Sequence, residues 1–311
     1  MMRLKRALLL PRASLGPYDL VLGTGVGSLI EYWPFDDPVG ATVAASRAPS
    51  GHTAAYKAAG EPICGQTGMG DGLTAALFDG SNDYCNVYSA GMAAAVNPAE
   101  LSYSGWLKVT SGAVWTDATA RRFLYWQCDT SNRFIFQKST TSNTLDITYQ
   151  AGGTSKTVNV TLSTTEWFHI LVTVSKSANL LYPDNVQVYI NGQQNPAFAN
   201  GLGVWVGALA STVTCLGATN TSGGSPWKGS MAHNAAWSSA LYPSDAAVLA
   251  GKSGIVLTLG DSRTVGVAGG TTPYQSQWTL PSGYVYCNMG VGGQRSDQVL
   301  SAIGKTTIQS R

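Results

Sequence analysis

Between about residue 28 and residue 238, short runs of alternating apolar and polar side chains follow one another at near-regular spacing. Almost no stretch there repeats at the helical period. In Val186-Gln187-Val188-Tyr189-Ile190 every second side chain can turn to one face, which is the period of an extended strand. On this reading strands cover 29–35, 73–78, 84–88, 101–109, 122–128, 133–138, 144–150, 157–162, 167–174, 185–190, 212–216 and about 229–237. Turn-forming residues separate them, among them Asp129-Thr130-Ser131-Asn132, Gly152-Gly153 and Asn191-Gly192. Asn191-Gly192, directly after a strand, suits a turn that needs positive φ. Many short strands of this kind predict two stacked antiparallel sheets.

The pattern changes near the end. Pro243-Ser244-Asp245-Ala246-Ala247-Val248-Leu249-Ala250 predicts a short capped helix, which Gly251 stops. After Lys252-Ser253-Gly254 the order becomes strand (255–259), turn, helix, strand (284–287), Gly-rich turn and helix (296–303), the opening of an α/β domain. The expected organisation is an N-terminal arm at 1–22, a β-sandwich at 23–251 and an α/β segment at 252–311.

A chain of 311 residues accommodates two domains. Its 44% hydrophobic and 12% charged residues describe a foldable chain with an unusually uncharged surface. A net charge of +2 gives no argument for nucleic acid. Arg3, Lys5, Arg6 and Arg12 cluster in what reads as a solvated arm. Ala7-Leu8-Leu9-Leu10, closed by Pro11-Arg12, is too short for the apolar core of a signal peptide, and no run reaches the length of a membrane span. Cys64, Cys85, Cys128, Cys215 and Cys287 are scattered and odd in number, as buried small hydrophobes of a reducing compartment would be. Asn159-Val160-Thr161 and Asn220-Thr221-Ser222 fit the glycosylation pattern, which has meaning only on a secretory route.

Seven landmarks occur in order: Glu31-Tyr32-Trp33-Pro34-Phe35-Asp36, Ala76-Leu77-Phe78-Asp79-Gly80-Ser81-Asn82-Asp83-Tyr84, Ser102-Tyr103-Ser104-Gly105-Trp106-Leu107-Lys108-Val109, Glu166-Trp167-Phe168-His169, Val188-Tyr189-Ile190-Asn191-Gly192, Trp227-Lys228-Gly229-Ser230-Met231-Ala232 and Ala236-Trp237. In this order the stretch from about 29 to 251 resembles the concanavalin A-like jelly rolls of the laminin-G and pentraxin type. The resemblance implies a jelly-roll sandwich and, as in many of its members, recognition of glycans or proteins outside cells, in some cases through calcium. Sugar recognition sets aromatic faces against the apolar side of the ring, and amides and carboxylates against its hydroxyls. Trp33, Trp106, Trp167, Trp227 and Trp237 sit on strand landmarks and are expected in the core. Trp115 and Trp205 lie in Gly- and Ser/Thr-rich or Gly-flanked loops and are the candidate sugar-stacking residues. Asp79, Asn82 and Asp83 are the candidate calcium ligands, because an acidic residue near this place helps hold the ion in pentraxin-like relatives; the same run is also an ordinary turn. His169, in a strand beside Trp167, is expected to be a packed or hydrogen-bonded residue, and no spacing of His52 or His233 argues for a transition metal.

Residues 254–311 resemble the first part of an SGNH (GDSL-type) hydrolase. Gly260-Asp261-Ser262 matches the first block and Asn288-Met289-Gly290-Val291-Gly292-Gly293 the second. The resemblance implies Ser262 as nucleophile, Gly293 as an oxyanion amide, and Asp261 and Asn288 in support. A donor of that kind is worth roughly 3–4 kcal/mol in the transition state. The aspartate and histidine that would activate the serine do not follow within the sequence, so the α/β segment is expected to be incomplete as given.

Three readings follow. The first is a virion-associated tail-fibre, spike or decoration protein, homo-oligomeric, which holds cell-surface polysaccharide through the sandwich and meets other virion proteins through its N-terminal arm. The second is a carbohydrate esterase with the sandwich as its targeting module. The third is an architectural subunit without a ligand.

Overall fold

The computed structural model describes residues 16–25, 27–49, 51–58, 61–179, 182–251, 254–258 and 284–288. In chain order the elements begin with α1 (Pro17–Gly23), β1 (Leu29–Trp33), β2 (Val43–Ala44), β3 (Ala54–Tyr56), β4 (Ile63–Thr67), β5 (Thr74–Asp79), β6 (Cys85–Asn86) and α2 (Ala90–Ala95). There follow β7 (Glu100–Val109), α3 (Ala113–Thr116), β8 (Arg121–Asp129), β9 (Asn132–Lys138), β10 (Thr144–Ala151), β11 (Thr154–Thr161), β12 (Phe168–Asn179) and β13 (Tyr182–Ile190). The last are β14 (Gln193–Gln194), β15 (Ala199–Asn200), β16 (Thr214–Leu216), β17 (Lys228–Trp237), α4 (Pro243–Leu249), β18 (Gly254–Thr258) and β19 (Tyr284–Asn288).

Two large antiparallel sheets result. One has nine strands, in the order β14-β13-β12-β7-β17-β5-β4, with β1 on β17 and β15 on β13. The other has eight, in the order β11-β10-β9-β8-β16-β6-β3-β2. Strict alternation drives this. On β9 the residues Phe134 and Phe136 are buried while Arg133, Ile135 and Gln137 are not, and on β10 Leu145, Ile147 and Tyr149 alternate with Asp146, Thr148 and Gln150. The buried set meets Leu101, Tyr103, Leu107, Val172, Val174, Val186 and Val188 of the other sheet in one core. The expected two-sheet antiparallel sandwich is therefore observed.

Asn191 (φ 51°) and Gly192 (φ 80°) make the two-residue turn between β13 and β14. Gly192 also lies against α4: a Cβ there would stand 3.0 Å from the Ala247 Cα, so only glycine fits. Strand 84–88 shrinks to Cys85–Asn86, although Val87 still donates its N–H to the Thr214 carbonyl at 3.0 Å.

The edge of β17 serves two partners in succession. Its residues 228–231 pair with β5 and 234–237 pair with β1. The handover falls on a bulge at His233, which takes φ 51° and donates its N–H to the Pro34 carbonyl at 2.9 Å.

The outer face of the nine-stranded sheet is covered. Val21 of α1 and Ala246 and Leu249 of α4 pack on Tyr32, Leu171, Tyr189, Ala235 and Trp237. The indole N–H of Trp237 donates to the Thr24 carbonyl at 3.0 Å and fastens the end of α1. Residues 16–22, read from the sequence as part of a free arm, therefore pack on the sandwich: the apolar face of a single short helix was not legible as a periodic pattern. The expected helix at 243–250 is observed as α4, and the Tyr242 N–H that precedes it donates to the Asp245 Oδ2 at 2.8 Å.

β18 and β19 pair in parallel, Gly254 opposite Tyr284 through Thr258 opposite Asn288. Parallel neighbours require a crossover between them, and residues 259–283 that make it lie outside the described residues, as do Asp261, Ser262 and Gly293. Asn288 is the last residue of β19. Among the described residues no helix is long and apolar enough to cross a membrane.

Candidate functional site

Among the described residues, helices cover the nine-stranded sheet and leave the outer face of the eight-stranded sheet open. Pairing register places its side chains in rows. The central row reads Val43, Ala55, Asn86, Cys215, Tyr125, Ile135, Thr148 and Thr157 across successive strands. On one side of it run Arg122, Gln137, Asp146 and Asn159; on the other run Gln127, Arg133, Gln150 and Ser155. Apart from Tyr125 and Cys215, which are buried, these residues are half-buried or exposed.

Cross-strand bonds hold the face in place. Arg122 donates from Nε to the Gln137 Oε1 (3.2 Å) and from Nη1 to the Thr219 Oγ1 (2.5 Å), and its guanidinium lies 4.7 Å from the centre of the Tyr125 ring. The Tyr125 hydroxyl donates to the Gln127 Oε1. Arg133 Nε donates to the Gln150 Oε1 at 2.7 Å, Asn159 Nδ2 to the Asp146 Oδ1 at 2.7 Å, and the Thr148 and Thr157 hydroxyls bond at 2.8 Å. Each of the three glutamines thus spends its carbonyl oxygen on a neighbour. Their amide N–H groups meet no other described residue and remain available as oriented donors. Cys215 offers no thiolate here: burial pushes its thiol up to about 12.

The residues singled out from the sequence fare differently. Trp115 sits in α3, 1% exposed, with its N–H on the Thr164 carbonyl at 2.7 Å and its ring 6.1 Å from Phe168. It is a core residue rather than a sugar platform, because one helical turn rotates it inward. Trp205 is half-buried: its ring stacks on Phe134 at 4.9 Å and approaches Tyr149 at 6.2 Å, between the exposed Val204 and Val206. Asn132, 4% exposed, ties this loop to the neighbouring turns, accepting from the amides of Val206 (3.1 Å) and Gly152 (3.0 Å) and donating to Asp129 (2.9 Å). The loop therefore closes one end of the core beside the row that carries Gln127 and Arg133. Of the landmark tryptophans, Trp33, Trp227 and Trp237 are fully buried, and Trp106 and Trp167 half-buried.

Asp79, Asn82 and Asp83 do come together, but as a turn. Asp83 accepts the Asp79 amide at 2.7 Å, Asp79 accepts the Ser81 amide at 2.7 Å, and the Lys57 ammonium donates to the Asn82 Oδ1 at 2.6 Å. Burial, with the Asp79 carboxylate beside it, raises the Asp83 carboxyl to about 6. Oxygens spent on amides, beside an ammonium, do not fit calcium, which needs six to eight oxygens. Among the described residues no group of three or more His, Cys, Asp and Glu side chains gathers.

The histidines are structural. His169 bonds the Ser104 hydroxyl through Nε2 at 2.8 Å and packs 5.3 Å from Trp106, and burial holds its pKa down at about 3. His233 bridges the Tyr32 hydroxyl (2.7 Å) and Asp71 (2.8 Å); burial lowers its pKa against the opposing pull of Asp71. His52 donates its backbone N–H to the fully buried Glu31 and bonds it through Nδ1 at 2.7 Å, while Ser46 takes the other carboxylate oxygen at 2.9 Å. Cys64, Cys85 and Cys215 are buried free thiols; Cys128 is a half-buried one.

A laminin-G-type family model of the concanavalin A-like lectin/glucanases superfamily matches residues 79–247. Three solved structures share the fold. Domain 4 of an extracellular arabinanase from Geobacillus stearothermophilus, in complex with arabinotriose, is 16% identical over 72% of this chain and 98% of that one (TM-score 0.51). The receptor-binding domain of botulinum neurotoxin mosaic serotype C/D is 15% identical over 70% of this chain and 49% of that one (TM-score 0.52). Trypanosoma rangeli sialidase, in complex with sialic acid, is 10% identical over 73% of this chain and 33% of that one (TM-score 0.50). The chain thus spans about half of the toxin domain and a third of the sialidase. No curated protein matches it. At these identities the likeness to the solved structures is one of fold, and with the family model spanning more than half of the sequence, the chain belongs to the concanavalin A-like lectin/glucanases superfamily.

Proposed function

We propose that this chain binds carbohydrate on the outer face of its eight-stranded sheet. The observation that carries this is the row geometry: Gln127, Gln137 and Gln150 are held by their carbonyl oxygens, and their free amide donors line a solvent-accessible surface. Fixed neutral donors suit hydroxyl groups, because little side-chain entropy is lost when a sugar docks. The fold, shared with an arabinanase domain solved in complex with arabinotriose, supports the same reading. The double variant Gln137→Ala with Gln150→Ala is expected to weaken binding of a glycan at least tenfold by calorimetry while leaving the melting temperature within a few degrees. Unchanged affinity in a folded variant contradicts the proposal.

The finer reading is that the sandwich serves a virion-associated fibre, spike or decoration protein, presenting this face to cell-surface polysaccharide. A low-charge chain in which a lectin-type sandwich precedes an SGNH-like sequence block supports it. The esterase reading has its own support: β18 leads directly toward Gly260-Asp261-Ser262, and β19, its parallel partner, ends at Asn288. If it holds, the natural full-length protein hydrolyses p-nitrophenyl acetate and Ser262→Ala lowers kcat by at least a thousandfold. Equal rates in the two proteins rule it out.

A further inference from the structure

Charge on this protein is sparse, and part of it is neutralised in place. Among the described residues Arg47 pairs with Asp36, Arg121 and Lys138 with Asp117, and Lys176 with Asp184. Of the four described arginines, Arg122 and Arg133 are the two without an ion pair. Both stand on the outer face of the eight-stranded sheet, and neither has a carboxylate partner among the described residues. Each is held through its Nε by a glutamine carbonyl, which fixes the plane of the guanidinium. Both terminal nitrogens of Arg133 and the Nη2 of Arg122 bond no other described residue. A guanidinium presented end-on by a fixed Nε is a fork that matches a carboxylate.

From this we infer that the ligand is an anionic glycan, a linear saccharide carrying carboxylates, lying along β8 and β9 with its acid groups on Arg133 and Arg122. The inference rests on the proposed carbohydrate-binding face and specifies its substrate class. Arg122 lies opposite Gln137, and Arg133 is four residues from Gln137 on the same strand. The two arginines are therefore about 13 Å apart along the strand direction, with Tyr125 and Ile135 between them. That span suits a chain of several sugar rings, and the half-buried Ile135 gives an apolar sugar face somewhere to lie. Asp146 is the one carboxylate in the three rows; it stands beyond Gln137 from Arg122 and holds the amide of Asn159. It marks the edge at which neutral rather than acidic residues of the glycan would lie.

The test pairs acidic oligosaccharides with their own carboxyl-reduced forms, in which each acid becomes a primary alcohol. Oligogalacturonate, oligosialate, oligoalginate and hyaluronan fragments are titrated against the full chain at about 0.05 and 0.3 M salt. At least one acidic form is expected to bind ten times or more tightly than its reduced form, and less tightly at the higher salt. Arg133→Gln is expected to bring that ratio near one, and Arg122→Gln to lower it by a smaller factor; circular dichroism confirms that each variant folds. Acidic and reduced forms that bind alike, with Gln137→Ala plus Gln150→Ala still abolishing binding, would overturn the anionic inference and leave the carbohydrate face standing. Binding by no acidic form overturns the inference, and binding by neither form removes both.

Discussion

Asp117→Ala is expected to destabilise the protein by about 3–5 kcal/mol, whereas Lys138→Met is expected to be nearly neutral. Lys138 sits on the inner side of β9, and its side chain is 0% exposed. Its ammonium bonds the Asp117 carboxylate at 2.7 Å, the Asp117 carbonyl, and the Thr119 carbonyl at 3.3 Å. Arg121, opposite Lys138 in the register, adds two bonds to the same carboxylate at 2.8 and 3.0 Å. Removing Asp117 strands two buried cations. Removing Lys138 by an isosteric thioether leaves the carboxylate with Arg121 and part of its surface in water. Burial alone would raise the Asp117 carboxyl, but the bonds from Lys138 and Arg121 outweigh it and hold it below the usual carboxylate range. A depressed carboxylate stabilises above its unfolded pKa of about 4, and that contribution is lost as the pH falls through the folded value. Urea unfolding of both variants at pH 7 measures the asymmetry; equal costs would contradict it.

The second large effect is acid destabilisation through His169. Its pKa falls from 6.5 to about 3 because the ring is buried. Below pH 6.5 the unfolded chain takes up a proton that the folded chain refuses, so stability declines as the pH drops from about 6.5 toward 3 and is unaffected above it. At about 1.4 kcal/mol per pH unit the full loss approaches about 5 kcal/mol. The Nδ1 atom has no partner among the described residues, so His169→Gln forfeits little besides the Ser104 bond. That variant is expected to lose about 3 kcal/mol less than the parent between pH 7 and pH 4. His233, also lowered by burial, adds a decline of the same sign in both proteins. Identical pH profiles would show that His169 is protonated in the folded state.

The sandwich was legible because alternation is a local property. Phe134 and Phe136 against Arg133 and Gln137 state their parity without reference to any other strand. What parity leaves open is which face becomes core and which outer face another element covers. Gln137 and Gln150 read as ordinary outward residues until α1 and α4 are seen to cover the other sheet. Trp115 misled for the opposite reason: its Gly/Ser setting suggested an open loop, and the turn of α3 buries it. The Asp79–Asp83 run was readable either as a turn or as a metal site; it folds as a turn, with Lys57, more than twenty residues away in sequence, bonded to Asn82 through space. Gly260-Asp261-Ser262 carries its signal in the sequence alone, since Asp261 and Ser262 lie outside the described residues.

The account turns on where a ligand touches. Hydroxyl-radical footprinting of the full chain, with and without a bound acidic oligosaccharide, reads this side chain by side chain. Ile135, at the middle of the outer face, is expected to lose reactivity on binding, while Val204, Trp205 and Val206 keep theirs. Protection confined to residues 204–206, with Ile135 unchanged, would place the ligand at the loop end of the core and contradict the account.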